Sequence, residues 1–310
     1  MTEIFFSILP IFLITMLGAA IRRYWLTSDE FWRGLEKLSY FLLFPAVLFN
    51  YISTADLGSG ALVKLVFGLI ISTLIVASGL VLYQKKKPIA VSEFTSIFQG
   101  SVRYNSYIFF ASGSALYGEA GLAIVAVISA YMIVFTNVIS VLAFNTYIKS
   151  EHIDDYGLKA ITAFIKKFTT NPLIISSLAG FVFNYAGFEM NIGVKKTLHT
   201  LSDSALAMGL MNVGSGLKFT INSLYINRMA FTGITKLCIL PAVTTLVLSF
   251  SSIEETHKAI GILYSGLPCA STAYILSKQL GGDADLMASI ITVTTALSVF
   301  SLSIIMYLMA

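Results

Sequence analysis

The sequence predicts an all-α membrane protein of ten transmembrane helices, arranged as two inverted five-helix repeats with one broken helix in each. Three observations carry this. Of 310 residues, 56% are hydrophobic and 12% are charged, where a soluble domain carries about 25% charged residues. Two apolar segments are interrupted midway by residues that a plain spanning helix would not hold. Landmark residues of the first half return in the second at a nearly constant offset.

A spanning helix needs about 20 apolar residues, and the chain divides accordingly. Span 1 covers residues 4–21. The preceding Met1, Thr2 and Glu3 lack the positive region of a signal peptide, and Arg22 and Arg23 follow the apolar run, so it reads as a span. Thr27 to Glu30 has the form of a capping box, with Thr27 as N-cap. It opens span 2, residues 30–51, which Pro45 should kink. Span 3 is 61–83, ended by Lys85, Lys86, Lys87 and Pro88. Span 4 is 92–117, and a tight connection at 118–121 leads to span 5, 122–148. The one long polar stretch, 149–170, reads as an interfacial linker with a helical pattern at Leu158, Ile161, Phe164 and Ile165 and with Lys159, Lys166 and Lys167 toward headgroups. It separates a first repeat, 1–148, from a second, 171–310.

Span 6, 172–186, starts at Asn171–Pro172, a pairing favoured at helix starts. Span 7 is 197–217. Span 8, 224–250, should kink near Pro241. Span 9, 255–279, is interrupted at Gly266, Leu267 and Pro268. Asp283 caps span 10, with Asp285 favourable in its first turn.

Thirteen cations (Arg22, Arg23, Arg33, Lys85, Lys86, Lys87, Lys149, Lys159, Lys166, Lys167, Lys218, Arg228, Lys278) fall on one face and four (Lys64, Lys195, Lys196, Lys258) on the other. Lys37, Arg103 and Lys236 lie within spans. The bias places the linker in the cytoplasm and both termini outside.

Pro10 and Gly18 recur as Pro172 and Gly180, and Asn50 as Asn212, each 162 residues on. Leu38–Ser39 recurs as Leu201–Ser202 at 163, and 118–120 as 282–284 at 164. Five spans is an odd number, so the second repeat must be upside down. Inverted repeats place a site near the midplane, between interrupted helices. Here Tyr104 maps onto Pro268, which sets Tyr104–Asn105 opposite Pro268–Cys269.

The first break holds Arg103, Tyr104, Asn105 and Ser106. A buried arginine costs a few kcal/mol at that depth, and a broken helix lining a cavity would accommodate it. Arg103 could bind a carboxylate by a bidentate fork, or it could cap a half-helix or pair with Asp203. Asn105 offers a neutral donor and acceptor, or an interhelical bond. Pro268, Cys269, Ser271 and Thr272 would add backbone groups and hydroxyls beside half-helix N-termini that favour anions, or simply pack a proline kink. Asn50, Asn212 and Asn137 are further intramembrane polar positions. Asp203 is the intramembrane acid that could carry a proton, or it forms a structural pair. Glu36 and Lys37 sit near a membrane face, where snorkelling explains Lys37. Cys238 and Cys269 read as buried small hydrophobes rather than a disulfide. No metal-ligand spacing, cofactor motif or nucleic-acid-binding stripe is present.

The sequence resembles the auxin efflux carrier family, most closely its bacterial members. The resemblance rests on the motif starting at Pro10, the run Gly34 to Pro45, Arg103 to Ile108, Asn171 to Ile175, Leu267–Pro268, Ala273 to Leu276, and Gly281 to Asp283. It implies a sodium/proton-antiporter-like fold, with a scaffold of spans 1, 2, 6 and 7 and a transport domain of spans 3–5 and 8–10, whose broken helices cross at the substrate site. It further implies a homodimer through spans 2 and 7 in a bacterial plasma membrane, and a carrier of a small organic anion, a mono- or dicarboxylate. Plant members have proline at both crossings; here Tyr104 takes the mapped place in span 4.

The alternatives are a channel or sensor on the same fold, a cation-coupled symporter, and a membrane-embedded enzyme. The last has little to stand on. The one acidic motif, Gly281–Gly282–Asp283, sits at a helix start, and no zinc-protease or serine-nucleophile motif occurs. Two facing intramembrane carboxylates, which a cation antiporter needs, are also missing around the breaks.

Overall fold

The computed structural model describes residues 2–55, 60–148, 170–219 and 223–309. The expected linker, 149–170, lies outside the described residues except for Thr170.

The described elements are helical throughout: α1 Thr2–Tyr24, α2 Asp29–Ser53, α3 Ala61–Lys86, α4 Val91–Val102, α5 Ser106–Tyr147, α6 Pro172–Tyr185, α7 Ile192–Ser215, α8 Ser223–Ser249, α9 Glu255–Gly266, α10 Ala273–Leu280 and α11 Ala284–Met309. Six stretches are long and apolar enough to cross a membrane, one of them running from Val91 to Tyr147 through α4 and α5; α6 is shorter but apolar. The expected spans 7 and 9 are not among the six. The seventh carries His199 and Asp203 within a helix, α7, that starts earlier and adds Lys195 and Lys196, and the ninth is two short halves, α9 and α10.

Local chemistry sets the boundaries. The first cap is one residue later than expected: Ser28, not Thr27, is the N-cap of α2, its Oγ accepting the Phe31 N–H at 3.4 Å. Asn171 Oδ1 accepts from Leu173 N at 2.9 Å, and Asp283 Oδ1 accepts from Leu286 N at 2.9 Å, so the two caps expected at Asn171 and Asp283 are in place. Pro45 and Pro241 act as expected but through a specific distortion. Each follows a five-residue π turn, Ser39–Leu43 and Thr235–Ile239. A proline cannot donate to the carbonyl four residues back, and widening the preceding turn absorbs the mismatch.

The connection between spans 4 and 5 is a single residue. Gly118 has φ 60° and ψ −150°, and helical geometry resumes on either side of it. Only glycine adopts this backbone at little cost. The tightest helix crossing is between α1 and α7. A Cβ on Gly18 would lie 2.1 Å from the Met211 carbonyl oxygen, and one on Gly214 would lie 1.7 Å from that of Thr15. Backbones meet there because neither helix carries a side chain at the contact.

The core runs through the middle of the bundle. It includes Leu48, Ile52, Phe109, Val125, Ile128, Ile260 and Leu263, all essentially inaccessible. A second cluster surrounds the other break, with Val102, Ile97, Cys269, Ala273 and Ile290.

Candidate functional site

Both predicted breaks exist, and they meet. Between α4 and α5 the backbone is extended at Arg103 (φ −80°, ψ 152°) and Asn105 (φ −85°, ψ 104°). Span 4 therefore unwinds without a proline. Between α9 and α10 the helix is lost from Leu267 to Thr272. The Asn105 N–H donates to the Pro268 carbonyl at 2.9 Å, so each break supplies a partner for a backbone group that the other leaves free, as a broken helix inside a membrane requires.

Side chains stitch the crossing further. Gln99 Nε2 donates to the Ala273 carbonyl at 3.1 Å and to Ser277 Oγ at 2.6 Å. Ser96 Oγ lies 3.2 Å from Ser277 Oγ and donates to the Asp283 carbonyl at 3.0 Å. Gln99 was not singled out from sequence. Its signal was there, as a long polar side chain one helical turn before the arginine.

Arg103 is buried, with 7% of its surface accessible. Its Nη1 donates to Gln99 Oε1 at 3.3 Å and its Nη2 to Thr272 Oγ1 at 2.9 Å. Both partners are neutral, and among the described residues no carboxylate pairs with it. The pairing with Asp203 weighed from sequence is not made. Asp203 is exposed and lies 3.1 Å from His199 Nδ1, while His199 Nε2 is 3.4 Å from Glu119. This acid belongs to a histidine–carboxylate cluster away from the crossing.

A cavity of about 470 Å³ opens against the crossing. Arg103, Tyr104, Asn105, Ser106, Asn137, Ser271 and Thr272 line it, as do Arg33, Glu36 and Lys37 from α2. Lys37 thus faces the cavity rather than only snorkelling to the membrane face. Asn105 Oδ1 caps α5 by accepting from Ile108 N at 3.2 Å, while its buried Nδ2 has no hydrogen-bond partner. Asn212 lines a neighbouring cavity of about 710 Å³, which shares Ser271, Arg33 and Glu36 with the first. Asn50 is buried in α2 and lines neither cavity. Pro268 and Cys269 line neither as well, since the chain turns them behind the wall that Ala270, Ser271 and Thr272 form.

Three rings pack together at the crossing. Tyr104 and Tyr264 stack edge-on with centroids 4.5 Å apart, and Phe109 lies 5.9 and 5.7 Å from them. Aromatic pairs of this kind contribute about 0.5–1.5 kcal/mol each beyond the area they bury. Tyr104 is the ring of this trio that lines the cavity.

The two cysteines are free, and they differ in environment. Cys269 is fully buried, but Cys238 is exposed, against the expectation that both would be buried. Cys238 sits within the π turn of α8, which turns it to the outside of the bundle while its neighbours Lys236 and Leu237 point inward. The structure also shows Asn184 Nδ2 donating to the carbonyls of Ile52, Ser53 and Ala55 at 3.0, 3.1 and 2.8 Å. It satisfies the open end of α2, a role that sequence spacing does not reveal.

Residues 157–306 match a family model described as membrane transport protein. The matched stretch contains α6 to α10, most of α11, and the second break. No curated protein matches the chain.

Proposed function

We propose that this helical membrane protein, similar over its second half to membrane transport proteins, is a secondary carrier of a small organic anion. The observation that carries the reading is Arg103. A guanidinium never loses its charge, and here it is buried, bonded only to neutral groups and set on the wall of a cavity. Burying a charge without a partner is costly, and an anion in the cavity is the partner that offsets it. Asn105 Nδ2 supplies a second donor beside it, and the half-helix starts at Ser106 and Ala273 bring positive dipole ends to the same place.

The movement that goes with this reading is an elevator. The two halves are inverted repeats, with a scaffold of spans 1, 2, 6 and 7 that dimerises through spans 2 and 7, and a transport domain that carries the crossing as an elevator. Supporting this, Gly18 of span 1 packs on Met211 of span 7, while Gly180 of span 6 packs on Ile52 of span 2. The small-residue contacts exchange halves as an inverted repeat demands. The cavity takes in Arg33 and Lys37 of the cation-rich face, which the charge bias makes the cytoplasm of a bacterial cell. Both termini are then extracytoplasmic.

A thermal-shift screen of the purified protein against mono- and dicarboxylates tests the reading, because a ligand that binds only the folded state raises the melting temperature. Stabilisation by a subset of carboxylates, with saturable uptake and counterflow in liposomes, is expected. Protection by none of them, or flux that does not saturate, would remove the carrier reading.

A further inference from the structure

Among the described residues Lys236 is a buried cation besides Arg103, and the anion site does not use it. It sits in the π turn of α8 with none of its surface accessible. Its one acceptor among the described residues is the Ser265 carbonyl, at 3.5 Å. That carbonyl belongs to the last turn of α9, where the helix stops for the second break and carbonyls are left without intrahelical donors. An ammonium has three N–H donors, so most of its hydrogen-bonding capacity is unmet.

The elements packed around the π turn are α4, α9, α11 and the rest of α8. Their titratable groups offer no counter-charge. Lys236 reaches the Ser265 carbonyl just before the second break, and Arg103 reaches the Thr272 hydroxyl at the far end of that break. Tyr264 precedes Ser265 in α9. Glu93 of α4 is paired with Arg228 of α8, and Asp285 of α11 with Lys218. Two buried cations thus flank one break, and one of them is an amine that can exist with or without a proton.

Resting on the anion-carrier reading, we propose that Lys236 is a proton-binding site that loads and unloads together with the anion, so that each turnover moves a proton with it. A buried ammonium with no counter-ion is the costly state. The neutral amine, and the ammonium accompanied by an anion at the crossing, are the two that cost least. Coupling of this kind is reciprocal: whatever the anion contributes to holding the proton, the proton contributes to holding the anion. The bonds involved are simple. The amine lone pair takes a proton from water on loading and returns it to water on release. The C-terminal ends of half-helices are where broken-helix transporters hold their coupling ions, and Lys236 reaches one.

The test uses the purified carrier in liposomes, with the membrane potential held at zero by potassium and valinomycin. Radiolabelled malonate, succinate and lactate serve as probes, and empty liposomes give the background. With the outside one pH unit more acidic, one proton per anion accumulates a probe approaching about tenfold. Reversing the gradient should expel it. In Lys236→Gln and Lys236→Met the ratio of uptake with and without the gradient should fall to about one, whatever the absolute rate. Lys236→Arg keeps the charge but cannot release its proton, and should give the same ratio. Wild-type carrier that moves a probe with no response to the gradient overturns the inference and leaves the anion reading standing. So does a folded Lys236 variant, verified by its elution profile, that keeps the full response. Wild-type carrier that moves none of the probes and is stabilised by no carboxylate overturns the anion reading itself.

Discussion

Replacing Arg103 by glutamine separates a ligand-binding arginine from a structural one, because the two predict opposite signs. The guanidinium has five N–H donors. Two are engaged, toward Gln99 Oε1 at 3.3 Å and Thr272 Oγ1 at 2.9 Å, which leaves three for a carboxylate. Truncating one member of a buried charge pair costs about 2–5 kcal/mol, which is about 30-fold or more in affinity. At a carboxylate concentration near 100 times Kd, the ligand stabilises the wild type by about 2.7 kcal/mol; a variant weakened about 100-fold keeps about 0.4 kcal/mol at that concentration. The ligand-induced rise in Tm should therefore nearly vanish. Without ligand, Arg103→Gln removes an uncompensated buried charge while a neutral side chain still reaches toward Gln99 and Thr272, so Tm should hold or rise. Arg103→Lys keeps charge without the planar fork and should fall between the two, about tenfold weaker. The assay is thermal unfolding in detergent with and without the carboxylates that protect the wild type. A fall in Tm without ligand, together with an undiminished ligand-induced shift, would show that the arginine is structural and refute the reasoning.

Other expectations follow from single contacts. Gly214→Ala sets a Cβ 1.7 Å from the Thr15 carbonyl oxygen, so α1 and α7 must separate; a loss of about 1–3 kcal/mol or more is expected from overpacking. Gly79→Ala, with nothing within 4 Å of its Cβ, should be neutral or stabilising by about 0.5–1 kcal/mol, and an equal loss at both positions would contradict the close crossing. A membrane-permeant maleimide should modify exposed Cys238 faster than buried Cys269; in Cys238→Ala, slow labelling at Cys269 that a protecting carboxylate further slows would tie the second break to the moving part, whereas labelling indifferent to every protecting carboxylate would detach it. A reporter active only in the cytoplasm, fused after Ala310, should stay silent, and a strong signal would overturn the orientation drawn from the cation bias.

Much of the fold was legible along the chain because its signals are local. Bilayer thickness sets the length of an apolar run, a short polar side chain before an apolar run caps a helix, and proline removes a donor wherever it stands. For these reasons the residues of both breaks, the caps at Asn171 and Asp283 and the kinks before Pro45 and Pro241 could be read directly. Even the meeting of Asn105 with Pro268 was foreseen, through residue offsets between the halves. The displacement of the first cap from Thr27 to Ser28 shows the limit of such readings, since two adjacent hydroxyls offer the same chemistry and only the path of the chain chooses between them.

What the sequence could not decide depends on which face of a helix is turned inward. Asp203 stood out as an acid in an apolar segment, but the rotation of α7 leaves it exposed, beside His199 one turn earlier on the same helix. Cys269 was expected at the site, yet the turn through Ala270 puts Ser271 and Thr272 on the cavity wall and leaves the thiol behind it. Cys238 and Lys236 are two residues apart, and the π turn sends one outward and buries the other. Gln99 and Asn184 gained their roles only when distant carbonyls, at Ala273 and at Ile52, Ser53 and Ala55, came within reach. Sequence determines where a helix begins, bends and breaks, because those depend on neighbouring residues. The direction in which each side chain points, and so which polar groups share the cavity, is settled only by packing one helix against another.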